Sequence, residues 1–359
     1  MSQTNKSKQT SLHSFFNTLK TDGSILEVKR FFYIRWTNKY APDIQAVWLQ
    51  ERPSDVNFIE EVKWNQVRKT HTFYLCGYFP DLNEGRFRLP HESKYKNISI
   101  LKSHLQKNIR KQNEQLALST AVHMMNLDVV ELLRRLPIIM IEDVMLHESF
   151  TTLIWLMVSQ SSTTFKFKRY MYEWILGVIY VLCKIPTKDF VNHHDITEMK
   201  LINRLDTFGQ DLKNNLLNDS QLSLLYCMYV RIAYGGMNCD MEMFELSADT
   251  WYKRFKGEEN DGIIINRDRI RCISYMSVKT LELDEWDLSA LDFHCCNKLI
   301  EFIQKRFPDV DESEIKELIW KNSSRINTRT NYPICNPSLW NQMKNHVEKT
   351  QKYLLDSNY

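Results

Sequence analysis

Nine glycines and nine prolines in 359 residues leave few places where the chain can turn sharply, and this scarcity constrains the fold more than any other feature. Tight turns and left-handed helix caps lean on these two residues, so a chain poor in both is built from long continuous elements. With 43% hydrophobic and 12% aromatic residues, it has apolar surface for one large core or two ordinary ones. The expectation is a mainly α fold, a multi-helix body preceded by a small β-containing N-terminal region and a flexible tail.

Periodicity places these parts. Residues 1–27 are rich in Ser, Thr, Lys, Asn and Gln, the composition of a flexible tail. Within 28–97, Val28 to Trp36, Gln45 to Leu49 and Thr72 to Phe79 concentrate aromatic and β-branched residues and read as strands. A helical body, 98–255, begins where Ile98, Leu101, Leu105 and Ile109 recur at three- and four-residue intervals. A second helix runs through Met125, Asn126-Leu127-Asp128 makes a turn, and Asp128 caps a third helix that Pro137 is expected to interrupt. Further helices are expected at Ser149 to Val158, Lys166 to Lys184, Ile196 to Leu217, Ser220 to Tyr234 and Met241 to Phe255. In the C-terminal α-rich region, 256–359, short strands at Gly262 to Asn266 and Arg271 to Tyr275 precede amphipathic helices at Asp292 to Phe307, Asp311 to Ser323 and Pro337 to Leu355.

Composition narrows the function classes. Lys and Arg total 47 against 44 Asp and Glu, a net charge of +3, so any DNA contact has to come from a local patch. One candidate is Lys102 to Lys111, where Lys102, Lys107, Arg110 and Lys111 fall with no acid among them; a solvated helix face explains the same run. The other is Trp320 to Tyr332, which sets Lys321, Arg325 and Arg329 beside Trp320 and Tyr332, mixing phosphate-binding and base-stacking types. A capped loop packed on the last helix explains that segment equally.

The eight cysteines lack zinc-knuckle spacing, so no metal is expected, and several lie in apolar runs as free thiols do in a reducing compartment. The longest apolar stretch, Trp174 to Cys183, is ten residues, short of the roughly 20 that span a bilayer, and no membrane partner is expected. No GxxxxGK[ST] loop occurs, so neither ATP hydrolysis nor another cofactor is expected. His193-His194-Asp195 and Asp292 to Cys296 read as helix caps and core packing, and no catalytic residue is assigned.

The most specific signal is in the tail. Gln9-Thr10-Ser11-Leu12-His13-Ser14-Phe15-Phe16 has a glutamine, an aliphatic residue three positions on, and two aromatics after a further three. In a short 3₁₀ turn this spacing projects Leu12, Phe15 and Phe16 as one plug, with Gln9 at its rim. Each buried side chain contributes roughly 1.5 to 3 kcal/mol before ordering costs, enough for micromolar docking. The octapeptide resembles the PIP box, the peptide by which replication and repair proteins bind the sliding clamp PCNA. The resemblance implies a replication or repair accessory protein, in the nucleus or at a viral replication site, with the clamp as partner and with DNA or other replisome proteins as further ones. A clamp-recruited magnesium-dependent nuclease is the alternative; its acids, Glu142-Asp143, Asp284-Glu285 and Asp311-Glu312-Glu314, have no diagnostic spacing.

A second stretch, Ile100 to His147, is similar to the helical domain following the ATPase core in the clamp-loader-like RarA/MgsA family. Leu105, Gln106, Lys107, Arg110, Ala117, Ala121, Met124, Asp128, Arg134, Arg135, Leu136, Glu142, Asp143 and Val144 carry that likeness. It implies a role in oligomerisation or positioning, with Arg134 and Arg135 as contacts to a partner or a phosphate backbone; pairing with Glu131, Glu142 or Asp143 is the bland reading of the same arginines.

Overall fold

A computed structural model describes residues 17–19, 25–27, 30–39, 44–66, 69–81, 87–160, 162, 164–189, 216–259, 261–291, 297–326, 329 and 333–357. The strands among them are β1 (Asn17–Leu19), β2 (Ile25–Glu27), β3 (Phe31–Arg35), β4 (Ala46–Leu49), β5 (Phe58–Gln66) and β6 (Lys69–Tyr78). The helices are α1 (Ile98–Arg110), α2 (Glu114–Asp143), α3 (Phe150–Ser159), α4 (Arg169–Lys184), α5 (Asp219–Ala233), α6 (Asn238–Lys256), α7 (Asn297–Arg306), α8 (Glu312–Leu318) and α9 (Pro337–Ser357). The protein is mainly α, with its sheet in the N-terminal region. The chain forms two compact units, Met1–Arg86 with Leu146–Phe167 and Asp189–Asp268, and Phe87–Met145 with Lys168–Lys188 and Arg269–Tyr359. They interleave along the chain where the sequence reading sets consecutive segments, because periodicity shows which face of a helix is apolar but not what covers it.

In the first unit four strands lie in the order β4-β3-β6-β5, with β3 and β6 parallel and the other pairs antiparallel. Strand β3 is buried on both faces. Phe32 stacks on Trp48 at 4.4 Å, and the Trp155 indole N–H of α3 donates to the Phe32 carbonyl at 2.9 Å; on the other face Phe31 and Tyr33 pack with Cys76. The edge strand β4 is closed by helix hydroxyls, Ala46 N–H donating to Thr152 Oγ1 at 3.2 Å and Trp48 N–H to Ser223 Oγ at 2.9 Å. These bonds use donors that otherwise template pairing with another chain. Strand β5 is unforeseen, because Glu60, Glu61 and Lys63 dilute the apolar signal that Phe58 and Val62 supply inward.

The second unit is helical. Asn97 caps α1, accepting from the N–H groups of Ser99 and Ile100, and Asn113 caps α2, accepting from Leu116. Helix α2 bends at Asp128, whose φ of −160° and ψ of 97° are non-helical, and the Asp128 carboxylate accepts from Val130 and Glu131, as the sequence reading has it. Pro137 does not end the helix, which runs on to Asp143. An interior proline costs about 3 kcal/mol, but burying Ile138, Ile139 and Met140 returns roughly 1.5 to 3 kcal/mol each. Among the described residues α2 alone is long and apolar enough to cross a membrane, and 67% of its most apolar stretch is buried inside the protein.

Two expected strands are absent. Asn266 makes one isolated bridge to His147, and Ile273 N–H donates to the Glu173 carbonyl at the start of α4; neither segment has a partner strand among the described residues. The expected helix at Ile196 to Leu217 lies, up to residue 215, outside the described residues, as does the opening of the one at Asp292.

The segment around Arg271 crosses α4 at Gly177, where an added Cβ would stand 2.2 Å from the Arg271 carbonyl oxygen. Alanine is the better helix former by about 1 kcal/mol, yet this oxygen belongs to backbone and cannot swing aside. Gly177→Ala is therefore expected to destabilise the protein by about 1–3 kcal/mol in urea denaturation, and a gain in stability would contradict the close crossing.

Candidate nucleic-acid interface

The clamp-motif residues Gln9, Leu12, Phe15 and Phe16 lie outside the described residues. The cations singled out from sequence all fall in the second unit, and the fold sorts them into two groups.

The first group points inward. Helix α1 is buried from Ile100 through Arg110 with few gaps, so its charged residues meet internal partners. Arg110 is 3% exposed; its Nε donates to Asp143 Oδ1 at 2.6 Å and its Nη1 to the Ser324 carbonyl at 3.2 Å. Gln106 Nε2 donates to Glu142 at 2.9 Å and to Asp143 at 2.8 Å, and Arg135 Nη1 donates to Gln106 Oε1 at 3.4 Å. Arg329 donates to the carbonyls of Asp143, Ile109 and Leu182 at 2.7, 2.8 and 2.7 Å. Lys107 is buried as well, and Lys102 and Arg134 both pair with Glu131, at 2.7 and 3.1 Å.

Burial raises the Asp143 carboxyl, but the Arg110 guanidinium, by charge and by hydrogen bond, overcomes this and holds it below the usual range. Burial and the adjacent Asp143 carboxylate push Glu142 up. The expected contact role of Lys107, Arg110 and Arg329 is thus corrected: Lys107 is buried, and Arg110 and Arg329 spend their donors on helix ends inside the protein. A charge run looks like a solvated patch in sequence because its buried acids are supplied from 30 or more residues away.

The second group opens on a cavity of about 680 Å³. Its cations are Lys111, Lys321, Arg325 and Lys344, against the carboxylates of Asp287 and Glu348, so the lining is net positive. Both basic stretches read from sequence reach it, Lys111 from one and Lys321 with Arg325 from the other. Lys111 is held by both Asp287 oxygens at 2.9 and 2.8 Å and by Ser289 Oγ at 2.9 Å. Lys321 follows from a π-helical turn, Ile319–Ser323, a geometry often found at functional sites. Arg325 has a φ of +49°, a left-handed conformation that non-glycine residues rarely adopt.

Helix α9 supplies the side that sequence reasoning missed, Trp340, Lys344, Glu348 and Gln351. The signal was present, since spacings of four, four and three residues put one stripe on a helix. Gln351 is fully buried; its Nε2 donates to Ser323 Oγ at 3.3 Å, while its Oε1 has no hydrogen-bond partner.

Behind Lys111 stands a buried histidine. His104 Nε2 accepts from Asp287 N–H at 2.9 Å, which leaves the proton on Nδ1 to donate to Thr120 Oγ1 at 2.6 Å. Burial pushes His104 down to about 4, and it does the same to His123. The neutral ring thus fixes the loop whose carboxylate holds Lys111.

Among the described residues no three His, Cys, Asp or Glu side chains gather as a metal cluster. No family model, curated protein or solved structure matches the chain.

Two measurements test this reading. Asp143→Ala leaves a buried guanidinium without its counter-ion and is expected to cost about 3–5 kcal/mol in urea denaturation, whereas the double change Arg110→Met, Asp143→Leu costs clearly less than the two single changes added together. Additive costs would show that the pair is not coupled. Both histidines titrate near 6.5 when unfolded and near 4 when folded, so the stability they confer is full above about pH 6.5 and is lost as pH falls toward 4. His104→Gln is expected to flatten part of the decline over that window, with His123 and His147, also lowered by burial, supplying the rest, and an unchanged slope would mean that His104 is already charged.

Proposed function

We propose that the protein is a non-enzymatic accessory factor of DNA replication or repair, tethered to the sliding clamp by Gln9, Leu12, Phe15 and Phe16, with the helical second unit contacting DNA or another replisome protein. The observation that carries the reading is the octapeptide Gln9 to Phe16, in which every position of the clamp-binding pattern is filled. Lys6 and Lys8 precede it and suit an acidic pocket rim. The net-positive cavity of the second unit supports a DNA contact. A short tether sets millimolar effective concentration at the clamp, so this contact can be weak alone and effective in place. Such a protein works in the nucleus or at a viral replication site.

The nuclease alternative is less favoured. Glu142 and Asp143 are engaged by Gln106 and Arg110, and Asp311 caps α8 by accepting from Ser313 N–H.

Calorimetric titration of a peptide spanning Lys6 to Lys20 into purified clamp is expected to give saturable binding in the micromolar range, lost in the Phe15→Ala, Phe16→Ala peptide because each ring contributes roughly 1.5 to 3 kcal/mol. Absence of binding at millimolar peptide would remove the tether and with it the replication assignment.

A further inference from the structure

Helices α7 and α9 run antiparallel against each other, since Phe302 meets Tyr353 at 6.2 Å and Phe307 meets His346 at 5.6 Å between ring centroids. Their inward stripes are complete without Phe302 and Tyr353: Leu299, Ile300 and Ile303 of α7 and Met343, Val347 and Leu354 of α9 are buried. The two rings instead stand outward, 45% and 60% exposed, the only large apolar side chains of these helices that do. One such residue is ordinary on a surface. Two in contact, with their planes 71° apart, form a small aromatic platform.

Cations surround this platform. Lys305 Nζ lies 5.9 Å over the Phe302 ring. Arg306 is one helical turn beyond Phe302 and Lys349 one turn before Tyr353, so the antiparallel packing brings their turns together. Lys352 shares the Lys349 side of α9. All four are exposed, and among the described residues no acid pairs with any of them. Elsewhere on the helices of this region Lys316, Lys321 and Lys344 each pair with a glutamate four residues away, Glu312, Glu317 and Glu348, which neutralises charge locally. Glu301 and Asp356 stand at the same spacing from Lys305 and Lys352, yet neither pair is closed. With Lys298 one turn before Phe302, and with Asp309 counted among the acids, the face remains net positive.

Unpaired cations call for an anionic partner, and the rings select its kind. An acidic helix or peptide docks through a contiguous apolar groove, whereas here the two rings stand among charges with no exposed aliphatic neighbour on either helix. Rings set singly among cations suit a strand that alternates flat bases with phosphates. A duplex keeps its bases stacked inside and offers the rings no face.

We propose that the α7–α9 face binds single-stranded nucleic acid, with Phe302 and Tyr353 stacking on bases and Lys305, Arg306, Lys349 and Lys352 meeting phosphates. The proposal rests on the DNA-contact reading above and narrows it to single strands and to this face.

The test uses the full-length protein and four variants. Phe302→Leu and Tyr353→Leu keep apolar packing and remove the aromatic face, while Arg306→Gln and Lys349→Gln remove charge; thermal melting checks each fold. Binding is read by fluorescence anisotropy with a labelled 12-residue oligo(dT), the same strand with abasic sites, a duplex, and a 12-residue oligo-glutamate peptide. Each ring variant is expected to weaken oligo(dT) by about tenfold and to leave the abasic strand unchanged. Each charge variant weakens both strands and lowers the salt slope by about 0.7. Equal losses for oligo(dT) and the abasic strand in the ring variants overturn the stacking. Oligo-glutamate that binds as tightly as oligo(dT), and is weakened by the same ring variants, gives the face to an acidic protein and overturns the proposal. Nucleic-acid binding that all four variants leave unchanged overturns this face while the DNA-contact reading stands. No binding of any nucleic acid overturns both, and the separate clamp-peptide titration still decides the tether.

Discussion

Three helices of the second unit end on one guanidinium. The C-terminal turns of α1, α2 and α4 each leave carbonyls without intrahelical partners and carry partial negative charge. Arg329 meets one carbonyl from each, those of Ile109, Asp143 and Leu182. Without such a donor, three buried helix ends would repel one another and leave acceptors unsatisfied. Asp143 adds a full negative charge at the end where the helix dipole disfavours it, and Arg110 offsets that charge from α1. Arg110 also donates to the Ser324 carbonyl, so the loop that brings Arg329 to the helix ends is pinned at both of its sides. Burial strengthens each of these contacts and makes the loss of any one costly.

The same pinning prepares the cavity. Ser324 and Arg329 are fixed inward, and between them Arg325 adopts its left-handed conformation and lines the cavity. A strained backbone persists only where its surroundings determine it, and here they do so through the helix-end bonds. In the same lining, His104 and Asp287 hold Lys111 by another buried chain of hydrogen bonds. Buried bonds thus place the Lys111 side chain and the backbone around Arg325, while Lys321 and Lys344 pair with Glu317 and Glu348 on exposed helical surface.

Much of this fold is written locally in the sequence. The strands β3, β4 and β6 announce themselves by aromatic and β-branched density, and Asp128 marks the bend of α2 by its capping chemistry. What was illegible depends on partners distant in the chain. Strand β5 alternates too weakly to be seen without β6 beside it. Pro137 looks like a helix break until the burial around it is known, and the segments near Asn266 and Ile273 look like strands until no neighbour is found. The site divides in the same way. Lys111, Lys321 and Arg325 were visible as basic stretches, but their meeting was not, and Gln351 became notable only when its oxygen proved to be buried and unpartnered.

The resemblance read from sequence between Ile100 to His147 and the RarA/MgsA helical domain is matched by no family model or solved structure, and the residues that carry it have a local explanation. Gln106, Arg110, Arg135, Glu142 and Asp143, the polar residues that carry much of it, are the ones joined in the buried network. Residues of this kind specify how α1 and α2 lock together, and they would recur wherever that helix pair recurs, whatever the host protein does. The packing of α1 on α2 therefore accounts for these residues without any relative. Arg110 and Arg329 are committed to holding the helices. In the C-terminal part of the unit, Lys321 pairs with Glu317 and Lys344 lies 3.9 Å from Glu348, so these cations too carry their acids beside them. The two sets of pairs differ in weight: the Arg110–Asp143 pair is buried and costly to break, whereas the pairs of Lys321 and Lys344 lie on exposed helical surface, where they contribute little.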